Sequence, residues 1–348
     1  MDASIETVTG KVKLDELGKT LTHEHLALDF CTFYVPPPSQ LTNIFEHKIQ
    51  LNNVGFIKQY PYSSKYNVNF CDDDTYKAVL EDVKIYKKYG GGTIVENSNY
   101  GLKRNIPFMK KISEETGVNV IIGTGHYVDA TQDKINHEMT EEKMYDLMIT
   151  ELTKGCVDYP SVKAGFIGEV GSSWPITDFE KKAIRATAKV QQQLKCPVTF
   201  HPGRNPQAPF EIMRIYTEAG GDVDKAIMSH LDRTIDDKCQ LLEFAKLGCY
   251  TQFDLFGTEC SFYQLDEKIN MPSDAQRLDR INWIKQDNGV DKILMSHDIH
   301  TKHRLIEYGG HGYSHIITNV LPRMSSKGFD LNEIDMITTI NPRTWLTW

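Results

Sequence analysis

The chain has 348 residues, long for an ordinary domain but within the range of α/β barrels, and 40% hydrophobic with 25% charged content describes a folded chain rather than a disordered one. Acidic residues outnumber basic ones by 47 to 39, a formal charge of −8 that disfavours a nucleic-acid partner. The opening Met1-Asp2-Ala3-Ser4-Ile5-Glu6-Thr7 has no basic and apolar leader, and no stretch approaches the ~20 apolar residues that span a bilayer. The expectation is a cytoplasmic protein without a membrane partner, and its seven scattered cysteines, none in a C-x-x-C pair, are read as reduced thiols.

In chain order, residues 5–19 suit a short hairpin that leads into a strand carrying His23 and His25. Two residues apart on extended backbone, these imidazoles leave the same face while Glu24 leaves the other. An extended loop follows over 31–70, with the helix-breaking Pro36-Pro37-Pro38 and one helix predicted near 41–59. From Asp72-Asp73-Asp74, which caps a helix through Tyr86 and ends at Gly90-Gly91-Gly92, the texture becomes regular. Strands are predicted at 93–97, 118–125, 164–169, 197–201, 226–230, 249–254 and 292–298, with helices at 103–116, 140–155, 177–194, 208–219, 235–247 and 274–287 between them.

With the histidine strand this makes eight short, mostly apolar strands alternating with helices. The pattern favours an α/β fold of the closed (β/α)8 barrel type, a single domain over 1–348, with a short N-terminal hairpin and the extended loop after the first strand. No glycine-rich phosphate loop follows that strand, as an open nucleotide-binding sheet would require.

Six potential metal ligands fall at the carboxyl ends of these strands: His23, His25, Glu169, His201, His230 and Asp298. Any one could be an ordinary polar strand terminus, but ligands come in sets and this is a set. Four imidazoles and two carboxylates exceed one tetrahedral ion with an open position, so two divalent ions are expected, most economically zinc. His23, His25 and Asp298 would take one, His201 and His230 the other, and Glu169 would bridge them. Such a site implies a metal-dependent hydrolase. His297 should point away from the axis, and His126, His300, His303, His311 and His315 read as pocket lining or polar surface.

These residues, together with Leu17-Gly18-x-Thr20-Leu21-x-His23-Glu24-His25, Gly123-Thr124-Gly125-x-Tyr127, Ile167-Gly168-Glu169-Val170-Gly171 and the terminal Asn341-Pro342, resemble the amidohydrolase superfamily and, within it, the phosphotriesterase group over nearly the whole chain. The stretches Ser173-Trp174-Pro175, His201-Pro202-Gly203-Arg204 and Ser229-His230-Leu231-Asp232-Arg233-Thr234 are most similar to its phosphotriesterase-related branch. The name-giving phosphotriesterases bridge their metals with a carbamylated lysine where this chain has Glu169, and carry an acid in their proton relay where it has Arg233. They also place a basic or histidine side chain after the strand-seven aspartate, where this chain reads Asp254-Leu255-Phe256.

The resemblance implies hydrolysis of the linear amide C–N bond of N-acetylated amines, N-acetyltaurine foremost, to acetate and taurine, with Asp298 and Glu169 as the catalytic carboxylates. The anionic N-acyl substrate would meet Arg204, Arg233 and Tyr127 at the barrel mouth. A homodimer is the common assembly for such barrels. A lactonase or phosphoesterase on the same metals, or a catalytically silent barrel that binds a partner through the proline loop, are the alternatives the residues leave open.

Overall fold

The computed structural model describes residues 3–260 and 263–348; Met1 and Asp2 of the segment read for a leader, with Ser261 and Phe262, lie outside them. Strands β1 (Ser4–Thr7) and β2 (Gly10–Lys13) form the antiparallel hairpin, and β3 (Lys19–Glu24) opens the barrel. A two-residue ribbon, β4 (Leu28–Asp29) with β5 (Asn69–Phe70), ties the two ends of the long loop together. Seven further parallel strands complete the sheet: β6 (Gly91–Glu96), β7 (Asn119–Thr124), β8 (Phe166–Gly171), β9 (Val198–His201), β10 (Ala226–Met228), β11 (Tyr250–Phe253) and β12 (Ile293–Met295). They neighbour one another in chain order, from β3 through β6 to β12.

The crossover helices are α1 (Asp73–Lys88), α2 (Ile106–Thr116), α3 (Glu141–Thr153), α4 (Asp178–Leu194), α5 (Ala208–Glu218), α6 (Lys238–Ala245) and α7 (Asp274–Asn288). Their starts follow from local chemistry. Asp72 caps α1 through the Thr75 N–H at 2.9 Å, and capping boxes Thr177/Glu180 and Ser273/Gln276 open α4 and α7. At the start of β6 the backbone runs against the turn before β3, and a Cβ on Gly92 would lie 2.1 Å from the Leu17 carbonyl. Only glycine fits there.

The seam between β12 and β3 is closed by a side chain. Glu24 Oε1 accepts from Ser296 Oγ at 2.7 Å and from the His297 N–H at 2.8 Å, and Oε2 accepts from the Ile299 N–H at 3.0 Å. The outward-facing partner of the histidine pair thus joins the first strand to the last, and His297 turns outward to meet it, Nδ1 at 2.8 Å.

Inside the barrel the side chains form layers. At the amino end, Val95, Ile121, Phe166, Ile227, Tyr250 and Leu294 pack with Ile5, Leu14, Leu17, Trp345 and Leu346 into an apolar plug. Trp345 and Leu346 come from the final helix α8 (Asn341–Leu346), so the apolar tail covers the barrel floor. Above the plug Gln252 donates to Ser229 Oγ at 3.0 Å and to Asp254 Oδ2 at 2.9 Å, a polar layer beneath the ligands.

The loop over 31–70 differs from its expected form. Instead of one helix near 41–59 there are two short ones, Thr42–Phe45 and Val54–Gln59. Buried Asn53 separates them by accepting from the Gln50 N–H at 2.7 Å and donating to the Lys48 carbonyl at 3.0 Å. The helix expected over 235–247 is likewise shorter, Lys238–Ala245, because Asp237 caps it through the Gln240 N–H at 2.8 Å. Among the described residues no helix is long and apolar enough to cross a membrane.

Candidate metal centre

All six predicted ligands converge at the carboxyl end of the barrel, and all are at most 7% exposed. They arrive there by different local routes. His23 and His201 are strand residues facing the axis, and His25 lies one step past β3. Glu169 sits within β8, where the register slips between Ile167 and Val170. Phe166 faces the plug and Ile167 the helices, so strict alternation would turn Glu169 outward; the irregularity at Gly168 returns it to the axis.

His230 and Asp298 were expected as strand termini, but β10 stops at Met228 and β12 at Met295. Both residues adopt left-handed backbone, with φ of 57° and 54°. Such a conformation is costly for a side chain other than glycine and must be held by its surroundings. The His230 N–H donates to Asp254 Oδ1 at 3.0 Å. Asp298 donates its N–H to the His23 carbonyl at 3.1 Å, and its own carbonyl accepts from His300 Nδ1 at 2.6 Å and from Arg304.

Glu169 is the hub. Its Oε1 is 3.4 Å from His25 Nε2, while Oε2 is 3.4 Å from His23 Nε2, 2.9 Å from His201 Nδ1 and 3.6 Å from His230 Nε2. Asp298 Oδ1 lies 3.2 Å from His25 Nε2 and 3.6 Å from His23 Nε2. Oε1 thus faces His25 alone and Oε2 faces His23, His201 and His230, so the one carboxylate touches members of both predicted ligand sets.

The charge pattern fits divalent cations. Burial opposes ionisation of Glu169, yet His23 and His201 hold its carboxyl well below the usual range. Burial also pulls the His25 imidazolium down, but Asp298 and Glu169 outweigh it and raise the pKa to about 10. His201, in contrast, is pushed by burial to about 3, the neutral form that coordinates metal. His23 Nε2 is buried without a hydrogen-bond partner, although two carboxylate oxygens face it. The ligating atoms of His23, Glu169 and His230, and those of His23, His25 and Asp298, each lie within 4.8 Å of one another. These buried clusters are consistent with a binuclear metal site.

A supporting layer lies behind the ligands. Asp254 joins both halves: Oδ1 is 2.7 Å from His230 Nδ1 and Oδ2 is 3.4 Å from His23 Nδ1. On the other side His25 Nδ1 meets Ser98 Oγ at 2.9 Å, and Ser98 donates to Glu96 Oε1 at 2.7 Å. These contacts fix which nitrogen of each ring is offered to an ion. Sequence reasoning did not assign them this role; the signal was a carboxylate directly after a strand, as at Asp254, or at its last position, as at Glu96.

A cavity of about 490 Å³ opens over the ligands, walled by Leu28, Phe30, Tyr62, Leu102, Tyr127 and Tyr263, with Arg204 and Arg233 among its linings. Tyr127 turns its hydroxyl to His201, 3.3 Å from Nε2, so it braces a ligand as well as lining the pocket. His300, expected as pocket lining or polar surface, lies against Asp298, with Nδ1 3.2 Å from Oδ2 and Nε2 3.3 Å from the Tyr62 hydroxyl. His303 is held by Asn67, and His315 by Asp274 at 2.6 Å.

The profile of the phosphotriesterase family matches residues 3–346. A phosphotriesterase-related protein of Aedes aegypti is 58% identical over 352 residues, and that of Drosophila melanogaster 54% identical over 347, each alignment covering 99% of both chains. Among solved structures, a resiniferatoxin-binding protein of Rhodobacter sphaeroides superposes with a TM-score of 0.94 at 28% identity, over 99% of this chain and 95% of that one. With the Glu169-centred cluster at the mouth of a nearly closed eight-stranded barrel and a family match over almost its full length, this chain belongs to the phosphotriesterase family of metal-dependent hydrolases.

Proposed function

We propose that this hydrolase cleaves the amide bond of N-acetyltaurine, and of related short N-acyl amines, to acetate and the free amine. His23, His25 and Asp298 would hold one divalent ion, His201 and His230 a second, and Glu169 both, with zinc the first choice for this donor set. Such ions, when bound, bring the pKa of water toward neutrality and polarise a carbonyl. The protein supplies the rest.

Asp298 directs Oδ1 toward the imidazoles and Oδ2 toward the ring of His300, which leaves one oxygen to take a proton from the attacking water and return it to the departing nitrogen. That return matters because an amine leaves poorly unless protonated. Tyr127 and Asp254 keep His201 and His230 oriented while the charge shifts. The observation that carries the substrate reading is the pair of arginines, Arg204 and Arg233, in the wall of the cavity over these carboxylates. An anionic tail on the amine gives that positive wall a purpose.

The test is turnover of N-acetyltaurine by the metal-loaded protein, run beside a neutral lactone and a phosphotriester. Release of taurine at a kcat/KM at least about tenfold above either competitor is the expected result. A preference for the lactone or the phosphotriester would move the reading to another electrophile, and no turnover of any of them by metal-loaded protein would favour a binding barrel.

A further inference from the structure

The two arginines of the cavity wall have different surroundings. Arg233 is buried and both of its terminal nitrogens have acceptors: Nη1 donates to Thr234 Oγ1 at 3.2 Å and Nη2 to the Pro202 carbonyl at 3.1 Å, with Nη2 3.4 Å from His201 Nε2. It fastens the turn that follows His201. Arg204 is half-buried and uses only its inner nitrogen, Nε donating to the Tyr263 hydroxyl at 2.8 Å, while the guanidinium lies 5.6 Å from the centroid of that ring. Among the described residues neither Nη of Arg204 has an acceptor, and no carboxylate comes within 4.0 Å of it.

Other buried arginines have carboxylate or carbonyl acceptors for their terminal nitrogens. Arg277 meets Asp232 and Asp274, and Arg104 meets Glu151 and Asp158. Arg304, also in the cavity wall, bonds to the backbone carbonyls of His297 and Asp298. The Nη groups of Arg204 have no such acceptor, and phenols stand beside it instead: Tyr62, Tyr127 and Tyr263 line the same cavity. With Nε pinned to the Tyr263 hydroxyl, its outer edge presents a fork of N–H donors, the shape that binds an oxyanion through two oxygens.

We propose that Arg204, oriented by Tyr263, is the anion anchor of the substrate site, that it takes the terminal sulfonate or carboxylate of an N-acylated amine, and that Arg233 instead positions the His201–Pro202 turn. The assignment rests on the hydrolase reading only for what is cleaved; the anchor itself is a statement about binding.

The experiment has two arms. In the first, Arg204→Gln, Arg204→Lys and Arg233→Gln are assayed in the metal-loaded protein with N-acetyltaurine, its carboxylate counterpart N-acetyl-β-alanine, and neutral N-acetylethanolamine. Arg204→Gln should raise KM for an anionic substrate at least about tenfold and act far less on the neutral one, and Arg204→Lys should recover part of the loss. Arg233→Gln should lower kcat for charged and neutral substrates alike. The ratio of the two anionic substrates tells a sulfonate site from a carboxylate site. Equal losses on charged and neutral substrates in Arg204→Gln would overturn the anchor.

The second arm is calorimetric titration of the metal-loaded protein with ethanesulfonate. The parent should bind it, and Arg204→Gln should weaken binding at least about tenfold. Affinity that survives in Arg204→Gln would place the anion elsewhere and overturn the assignment. Arg204-dependent binding by a parent that does not cleave N-acetyltaurine would keep the anchor and remove the proposed substrate. Cleavage with an unmoved KM in Arg204→Gln would do the reverse.

Discussion

The same eight strands end in opposite chemistry. At the amino end, Val95, Ile121, Phe166, Ile227, Tyr250 and Leu294 close on Trp345 with no charge among them; at the carboxyl end, four imidazoles and two carboxylates gather from β3, β8 and β9 and from the turns after β10 and β12. The plug is stabilised by removal of apolar surface from water and tolerates nothing polar, whereas the ligand cluster is costly to bury and persists through mutual pairing and a supporting layer. Stability and chemistry are therefore separable along the barrel axis, and each end can be perturbed without the other.

The largest effect should come from the carboxyl end. Asp298→Asn keeps the shape and one coordinating oxygen but cannot carry a proton, so kcat should fall by about 10²–10⁴ while most of the metal stays bound. Metal analysis beside steady-state turnover checks both halves, and near-normal kcat would remove Asp298 from the proton path.

At the other end Trp345→Ala should act on stability alone. The ring is fully buried, 5.7 Å from that of Phe166, and its Nε1 donates to the Lys225 carbonyl at 3.1 Å. Its removal should cost about 3–5 kcal/mol in denaturant unfolding. Turnover per folded molecule should be unchanged, and a proportionate loss of kcat would show that the two ends are coupled.

Between these lies the supporting layer. Asp254→Asn leaves the ligands in place but weakens the hold on His230 and His23, so metal affinity should drop about 10- to 100-fold. Competition with a chelator would measure it. Retention of parental affinity would mean that Gln252 and Ser229, which also contact His23 Nδ1 at 3.2 and 3.1 Å, suffice.

Much of this division was legible in the residues themselves. The ligands stood out because each interrupts an apolar strand at its carboxyl end, and the alternation of strand and helix fixed where those ends are. Three features were not. The left-handed turns at His230 and Asp298 are uncommon for any residue but glycine, so nothing local marked them. Glu169 faces the axis through a register slip, which strict period-two reading cannot anticipate. The cavity wall draws Tyr62 from the irregular 31–70 loop, Phe30 from the residue just before it and Tyr263 from another loop, where no periodicity exists to read. Arg204 and Arg233, equivalent by position after a ligand histidine, are told apart only by what they touch.

The smallest effect separates two kinds of imidazole at the catalytic end. His25 faces carboxylates and is held protonated or on metal, whereas His126, one residue before Tyr127, is enclosed by the rings of Tyr100 and Phe179 at 5.6 and 5.9 Å. Burial lowers its pKa from 6.5 to about 4. Between those values the unfolded chain binds a proton that the folded chain refuses, so the folded state loses stability as pH falls from 6.5 and the loss levels off below about 4. His126→Phe keeps an aromatic ring in the same enclosure and removes the proton, so at pH 5 it should gain about 2 kcal/mol on the parent relative to their difference at pH 8. Urea unfolding of both proteins at the two pH values gives this difference, with every other titrating group common to the pair. Parallel pH dependences would show that His126 is protonated in the fold, and that burial alone does not keep a non-ligand imidazole neutral at this end of the barrel.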